Sequence, residues 1–528
     1  MKRTISLILS ALLLAGLFSG CAVGEEEAYV PTGDALVMDD GPVVTQPKED
    51  VLDRDLTVKL TWYPDKSMNP LICNDLTNRT LFSLLFQGLF TVDSNYNAEP
   101  MLCKRYHVSE DMRTYTIYLE NATFSDGSLL TADDVSATLN AARESAYYKG
   151  RFYHVDSISP MGTNAVVIRL RNPMENLPLL LDIPILKANQ LEEDRPLGTG
   201  PFCLEPSLGG MQLRRRSDWW CRADLPVDVE SVSLMEAESA TQIRDTFEFE
   251  GLSLVCANPG ADSHADYRCD YELWDCESGT FVYIGCNMDS ELFSIDSVRS
   301  ALTYAIDRDS LAEKYYRGFG RSACLPASPT SPFYDMALAG RYGYDPQRFT
   351  QALTDAGKQG STVRLLVNSD DSLRLRAARD IAKMLTDCGL VVELKEVSTG
   401  AYKETLQYRT YDLYVGQTRL SANMDLTHFF YTWGNLSYGK IEDGTLYALC
   451  QQALANSGNY YNLHQAVMED GRLCPVLFYN YAVYVSRGVF GELEPARDNV
   501  FWYTLGKTME ACRTEEEPVP ETTEANEE

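Results

Sequence analysis

Apolar and polar residues alternate with period two at Leu56, Val58 and Leu60 against Thr57 and Lys59, which predicts a strand ending in a turn at Trp62, Tyr63, Pro64 and Asp65. From Thr80 to Phe90 the apolar positions follow a helical period and close on Gly88, predicting a helix. Tyr115, Ile117 and Leu119 return to period two, and Asp126-Gly127 after them is a hairpin-type turn signal. Thr131 then reads as a helix N-cap, with Asp133 and Asp134 in the first turn, where negative charge favours the helix terminus. Further on, Asp296 precedes an apolar helix carrying Val298, Ala301, Leu302 and Ala305, which leaves Arg299 for a structural ion pair. Asp307-Arg308-Asp309 reads as the polar end of that helix, and Gly198, Gly200 and Pro201 as a turn. Strands and helices interleave throughout, so the fold class is mixed α/β.

The N-terminus follows a different pattern. Lys2 and Arg3 precede an apolar run from Ile5 to Leu17, and Phe18, Ser19, Gly20 and Cys21 follow, in the order of a secretory signal peptide. The run is shorter than the roughly 20 residues a spanning helix needs. Ser19-Gly20-Cys21 is similar to the lipobox of bacterial lipoproteins, with Phe18 in the place of the usual Leu. Cys21 is therefore the expected lipidation site, and two acyl chains suffice for stable anchoring. Residues 22–50 are acidic and rich in Pro and Gly and are read as a tether, and the Glu-rich residues 513–528 as a solvated tail.

Charge narrows the partners. Without residues 1–20 the chain carries 44 basic against 76 acidic residues, a net of −32, which repels phosphate backbones and argues against nucleic acid. The length of 528 residues suggests roughly three or four domain-sized units. The 31 tyrosines suit a wet binding cleft as well as a core. No two of the 14 cysteines stand in a Cys-x-x-Cys spacing, and free buried cysteine is the default, although export would permit a local bridge among Cys256, Cys269, Cys276 and Cys286.

Enzyme motifs are sparse. His107, His154, His264, His428 and His464 form no His-Glu-x-x-His, and no Gly-x-Ser-x-Gly elbow is present. Ser437-Tyr438-Gly439-Lys440 matches Ser-x-x-Lys but lacks a companion Lys-Thr-Gly. No catalytic residue, metal site or cofactor is expected. Two other classes stay open, a secreted carbohydrate-active enzyme using a carboxylate pair and a transport-inactive sensor or adhesin.

An ordered set of motifs carries a resemblance across residues 55–495. Met68-Asn69-Pro70-Leu71, Leu85-Phe86-Gln87-Gly88-Leu89-Phe90, Glu99-Pro100-Met101-Leu102, Phe124-Ser125-Asp126-Gly127-Ser128 and Leu130-Thr131-Ala132-Asp133-Asp134-Val135 come first. Gly198-Thr199-Gly200-Pro201-Phe202, Tyr283-Ile284-Gly285-Cys286-Asn287, the stretch Val298 to Arg308, Tyr344-Asp345-Pro346, Leu353-Thr354-Asp355-Ala356-Gly357 and Cys474-Pro475-Val476-Leu477-Phe478-Tyr479 complete it. This succession resembles the family 5 extracellular solute-binding proteins, the peptide- and nickel-type receptors of ATP-driven importers.

The resemblance implies a two-lobed periplasmic-binding-protein-like fold, type II and cluster C-like, with an extra inserted domain. Lobe I would comprise residues 51–72, 186–287 and 490–512, the inserted domain 73–185 and lobe II 288–489. It further implies a monomeric binding protein, anchored to the outer face of the membrane, that passes a small solute or oligopeptide to an ABC permease and its ATPase subunits. Trp62 and Tyr63 match the region that lines the cleft from the first lobe. In peptide-binding members an acidic residue late in the second lobe meets the ligand's α-ammonium. The matching stretch here holds Arg419, Leu420, Ser421, Asn423 and Asp425, with Asn423 where the Asp is expected and Asp425 two residues on. Trp433 and Asn435 in the following loop complete the candidate set.

Overall fold

The computed structural model describes residues 58–259 and 267–508. The signal segment, Cys21, the acidic tether and the C-terminal tail lie outside the described residues, and among those described no helix is long and apolar enough to cross a membrane.

Two long strands, Tyr271–Cys286 and Leu473–Ser486, pair antiparallel along most of their length. The register breaks between Cys276 and Thr280, where Gly279 adopts a φ of +67° that a side chain would strain. On one side of the break the strand Leu254–Ala257 joins the pair. On the other, Leu413–Arg419 joins Tyr271–Cys286 and leads to the parallel strands Thr362–Asn368 and Val391–Val397. The run Phe281-Val282-Tyr283-Ile284 is buried on both faces, as expected for a strand with helices or loops over each side. Val282 and Ile284 face a core with Leu302, Phe349 and Ile381, while Phe281 and Tyr283 face another with Phe429, Phe430 and Tyr460.

A second sheet runs in the order Lys59–Trp62, Ser231–Glu236, Gly210–Arg215, Phe202–Ser207, with its first pair parallel. A third, fully antiparallel, orders Cys103–Val108, Thr114–Leu119, Ala165–Leu170 and Val155–Met161. Tyr115, Ile117 and Leu119 are buried while Thr114, Thr116 and Tyr118 are partly exposed, the alternation read from the sequence. The helix Ala132–Ala142 covers this sheet and begins with a full capping box, in which Thr131 and Asp134 each satisfy the other's backbone N–H. Trp62, Ile117, Trp274 and Val483 share a single core, so these two sheets and the near ends of the long strands form one body. The far ends of the same strands belong to another. The architecture is two-lobed α/β.

Two local expectations are corrected. Thr80–Phe90 is not one helix: Leu76–Thr80 and Phe82–Leu85 are short helices, and Phe90–Val92 is a strand. The reason is the loop at Gly198-Thr199-Gly200, whose Gly200 N–H donates to Leu85 O at 3.0 Å and takes the carbonyl that a continuing helix would use. Asp307 does not end the preceding helix but caps the next one, Arg308–Tyr316, accepting from Ser310 N at 3.1 Å. Arg308 is buried and donates to Pro475 O, Thr303 O and Thr303 Oγ1, so it pins the helix to the long strand. Arg299 behaves as expected, pairing with Asp296 at 2.9 Å. The twelve cysteines in the described residues are free thiols.

Candidate ligand-binding site

The residues singled out in the sequence fall in three environments. Trp62 is fully buried, with the Arg195 guanidinium 4.9 Å from its ring. Tyr63 packs beneath Lys66, whose ammonium lies 3.5 Å from the ring centre, and its backbone is clamped by the Asn78 side chain. Both occupy packed positions away from the main cavity. Trp433 and Asn435 lie on an exposed loop.

Arg419, Leu420, Ser421, Asn423 and Asp425 follow the strand Leu413–Arg419 and are brought close to the junction of the two bodies. Asn423 is buried, accepting from Ser421 Oγ at 2.7 Å. Asp425 is also enclosed: His154 Nε2 lies 3.1 Å from Asp425 Oδ2, and Thr427 N donates to Oδ1 at 2.8 Å. Burial acts to raise the Asp425 carboxyl, but the His154 imidazole and the Thr427 hydrogen bonds outweigh it and hold the pKa at about 2. The carboxylate is thus already engaged within the protein, by a histidine at the edge of the third sheet. Arg419 leaves that stretch, donating to Ser278 O at 2.6 Å and to Asp498.

Asp498 forms one wall of a cavity of about 90 Å³. The cavity is built from segments far apart in sequence: the short helices around Arg79, the turn Tyr147–Arg151, Asp182, the paired strands at Cys256, Cys276 and Tyr481, and the C-terminal stretch Arg497–Tyr503. Tyr147 donates to Asp498 Oδ1 at 3.1 Å, Arg151 lies 3.8 Å from Oδ2, and Arg151 also pairs with Asp182. Burial acts to raise the Asp498 carboxyl, yet the Arg419 and Arg79 guanidiniums hold it well below the usual range. Burial pushes the Cys256 thiol up to about 12, so the charge of the cavity comes from its arginines and carboxylates.

Comparison with known proteins now decides the family. A model of the bacterial extracellular solute-binding proteins, family 5 Middle, matches residues 97–440. The chain belongs to this family. Among its family 5 relatives, the glutathione-binding protein GsiB of Shigella flexneri serotype 5b is 23% identical over 360 residues, covering 63% of this chain and 68% of the relative. The oligopeptide-binding protein AppA of Bacillus subtilis is 24% identical over 380 residues, covering 65% and 69%. In three dimensions the chain is similar to a putative peptide-binding protein AppA from Clostridium difficile, with a TM-score of 0.70 at 16% identity over 85% of this chain and 99% of that one. It is also similar to NikZ from Campylobacter jejuni, solved in complex with Ni(L-His), with a TM-score of 0.62 at 17% identity over 85% and 98%. These likenesses fix the fold as the two-lobed type II binding-protein architecture.

None of the residues singled out from sequence lines the cavity, Arg419 coming nearest through Asp498, and the lining residues Arg79, Tyr147, Arg151, Asp182, Arg497, Asp498 and Asn499 are not among those singled out. One local signal was present: Arg497-Asp498-Asn499 is a polar triplet set just before the apolar Val500-Phe501.

Proposed function

We propose that this family 5 protein captures a small solute in the cavity at the junction of its two bodies and delivers it to the permease of an ATP-driven importer. One observation carries the reading. The cavity is lined by the first body, where Tyr147 and Arg151 meet Asp498, and Arg419 from the large sheet reaches the same carboxylate from the second. A solute held against Asp498 would lie beside the Arg419 contact between the bodies, which couples its binding to the closed arrangement.

In this reading residues 51–72, 186–287 and 490–512 form lobe I, 73–185 the inserted domain and 288–489 lobe II. The protein acts as a monomer without a catalytic step. It is exported and held at the outer membrane face through lipid on Cys21. The relatives named for glutathione and oligopeptide binding support a small polar solute as cargo.

The test of capture is mass spectrometry of the natively purified protein, followed by thermal unfolding with each released compound. A true cargo at a hundredfold excess over its Kd stabilises by about 2.7 kcal/mol and raises the melting temperature. A protein that carries nothing and responds to no solute would refute the reading. Anchoring is tested separately. Cys21→Ser should shift the protein from the membrane to the soluble fraction or leave it unprocessed, and equal membrane attachment would refute the lipid anchor.

A further inference from the structure

Arg497 is 4% exposed, lines the cavity, and uses Nη2 to hold Leu420 O, while its Nε and Nη1 have no hydrogen-bond partner. Asn499, also 4% exposed and lining the cavity, has no partner for either side-chain polar atom. Buried donors left unpaired in this way cost free energy unless a ligand meets them. Arg497 and Asn499, two residues apart and both lining one cavity, leave unpaired N–H groups that point to a missing acceptor, while Asn499 Oδ1 leaves a place for one donor.

The charge around them gives its sign. Arg79, Arg151 and Arg497 line the cavity against Asp182 and Asp498, an excess of one positive charge. Including the two groups just behind the wall, Arg419 at Asp498 and Glu277 facing Arg497, leaves the same excess of one. The carboxylates are also engaged. Asp182 is held by Arg151, and Asp498 by Arg419 and Tyr147, while Glu277 accepts from Thr330. Asp425, two residues past the position where the resemblance expects an ammonium-binding acid, is already engaged by His154. The guanidinium fork of Arg497 is shaped for a planar acceptor.

Resting on the solute-binding reading above, we propose that the cargo is a small monocarboxylate that needs no free ammonium group, with Arg497 and Asn499 as its anion-binding pair. The single excess charge matches a carboxylate better than a doubly charged phosphate.

The experiment measures binding of a charge-graded panel to the purified protein by calorimetry: short-chain monocarboxylic acids, N-acetylated and free amino acids, the matching methyl esters, the matching amines, and inorganic phosphate. Acids should bind, and esterification should weaken binding by about a hundredfold, since it leaves a buried guanidinium unpaired. N-acetylation should change affinity by no more than about twofold, well below the loss of a charged hydrogen bond. Arg497→Gln should lose the acids. Asn499→Asp supplies a second variant that keeps the side-chain shape and adds its charge to a cavity with one excess positive charge, so it should fold and yet lose acid binding by a similar factor. Esters or amines binding as well as acids, free amino acids binding far better than acetylated ones, or undiminished acid binding by Asn499→Asp would overturn the charge assignment and leave solute capture standing. Failure of every panel member, together with an empty protein from the native source, would overturn both.

Discussion

Leu85 projects its carbonyl into space that only a residue without a side chain leaves open. A Cβ on Gly198 would come within 2.0 Å of Leu85 O, and one on Gly200 within 2.5 Å of Leu84 O. The close approach lets Gly200 N–H donate to Leu85 O and lets Gly198 O accept from Ser125 N, so one loop ties the short helices to the Asp126-Gly127 turn. Gly198→Ala should therefore act as overpacking against backbone, which cannot rotate away, and cost about 1–3 kcal/mol. Gly150, which has no heavy atom within 4 Å of its would-be Cβ, is the control. The denaturation midpoint should fall for Gly198→Ala and stay near the natural value for Gly150→Ala. Equal midpoints would show that the Leu85 contact carries no strain.

Elements governed by local chemistry are legible in the chain. The Thr131 cap and the alternation Tyr115, Ile117, Leu119 needed only neighbours within a few residues, and both are found. Of the two elements misread from sequence, the first failed because its partner lies far away, whereas Asp307 is claimed by the next helix through Ser310, with a distant strand fixing Arg308 beside it. Leu85 stops a helix because Gly200, more than a hundred residues on, takes its carbonyl. Arg308 leaves the surface because Pro475 and Thr303 offer it buried carbonyls. The site is the extreme case of this. The Asp425 stretch was singled out by resemblance and lies off the cavity, whereas the cavity wall joins Arg79, Arg151, Asp182 and Arg497, whose convergence depends on how three sheets are stacked. Period and capping chemistry do not encode that stacking. What the sequence could offer was the polar triplet Arg497-Asp498-Asn499, whose burial is set by the return of the C-terminal chain into the first core through Val500 and Phe501.

At the scale of the whole molecule, the two bodies are joined by the long strands and also by side chains that must separate for a cleft to open. His154 to Asp425 is the most enclosed of these, with side-chain exposures of 3% and 9%. Glu175 adds an outer contact, accepting from Ser457 N at 2.8 Å. His428, Tyr460 and Cys450 also face Asp425. Burial lowers the His428 pKa and raises those of Tyr460 and Cys450, so none of the three competes with His154 for the carboxylate charge. An opened cleft returns Asp425 to water and an ordinary pKa near about 3.9, against about 2 when closed. The sign follows from a lowered pKa in the closed form. The Asp425 carboxylate contributes its share of closure above about pH 4 and loses it as pH falls toward about 2. The difference corresponds to about 3 kcal/mol, enough to change a closed-to-open ratio by about eightyfold. Asp425→Asn keeps the shape of the side chain but removes the charge, so it should enlarge the radius of gyration of the unliganded protein at neutral pH. Bound cargo should restore the compact value, with its apparent affinity weakened by the cost of closing. The natural protein should expand on its own only as pH falls below about 4, above which Asp425 holds its charge in both forms, and Asp425→Asn should show no such step. Identical scattering curves for the two proteins at pH 7 would mean that the strands and the remaining contacts set closure without this pair.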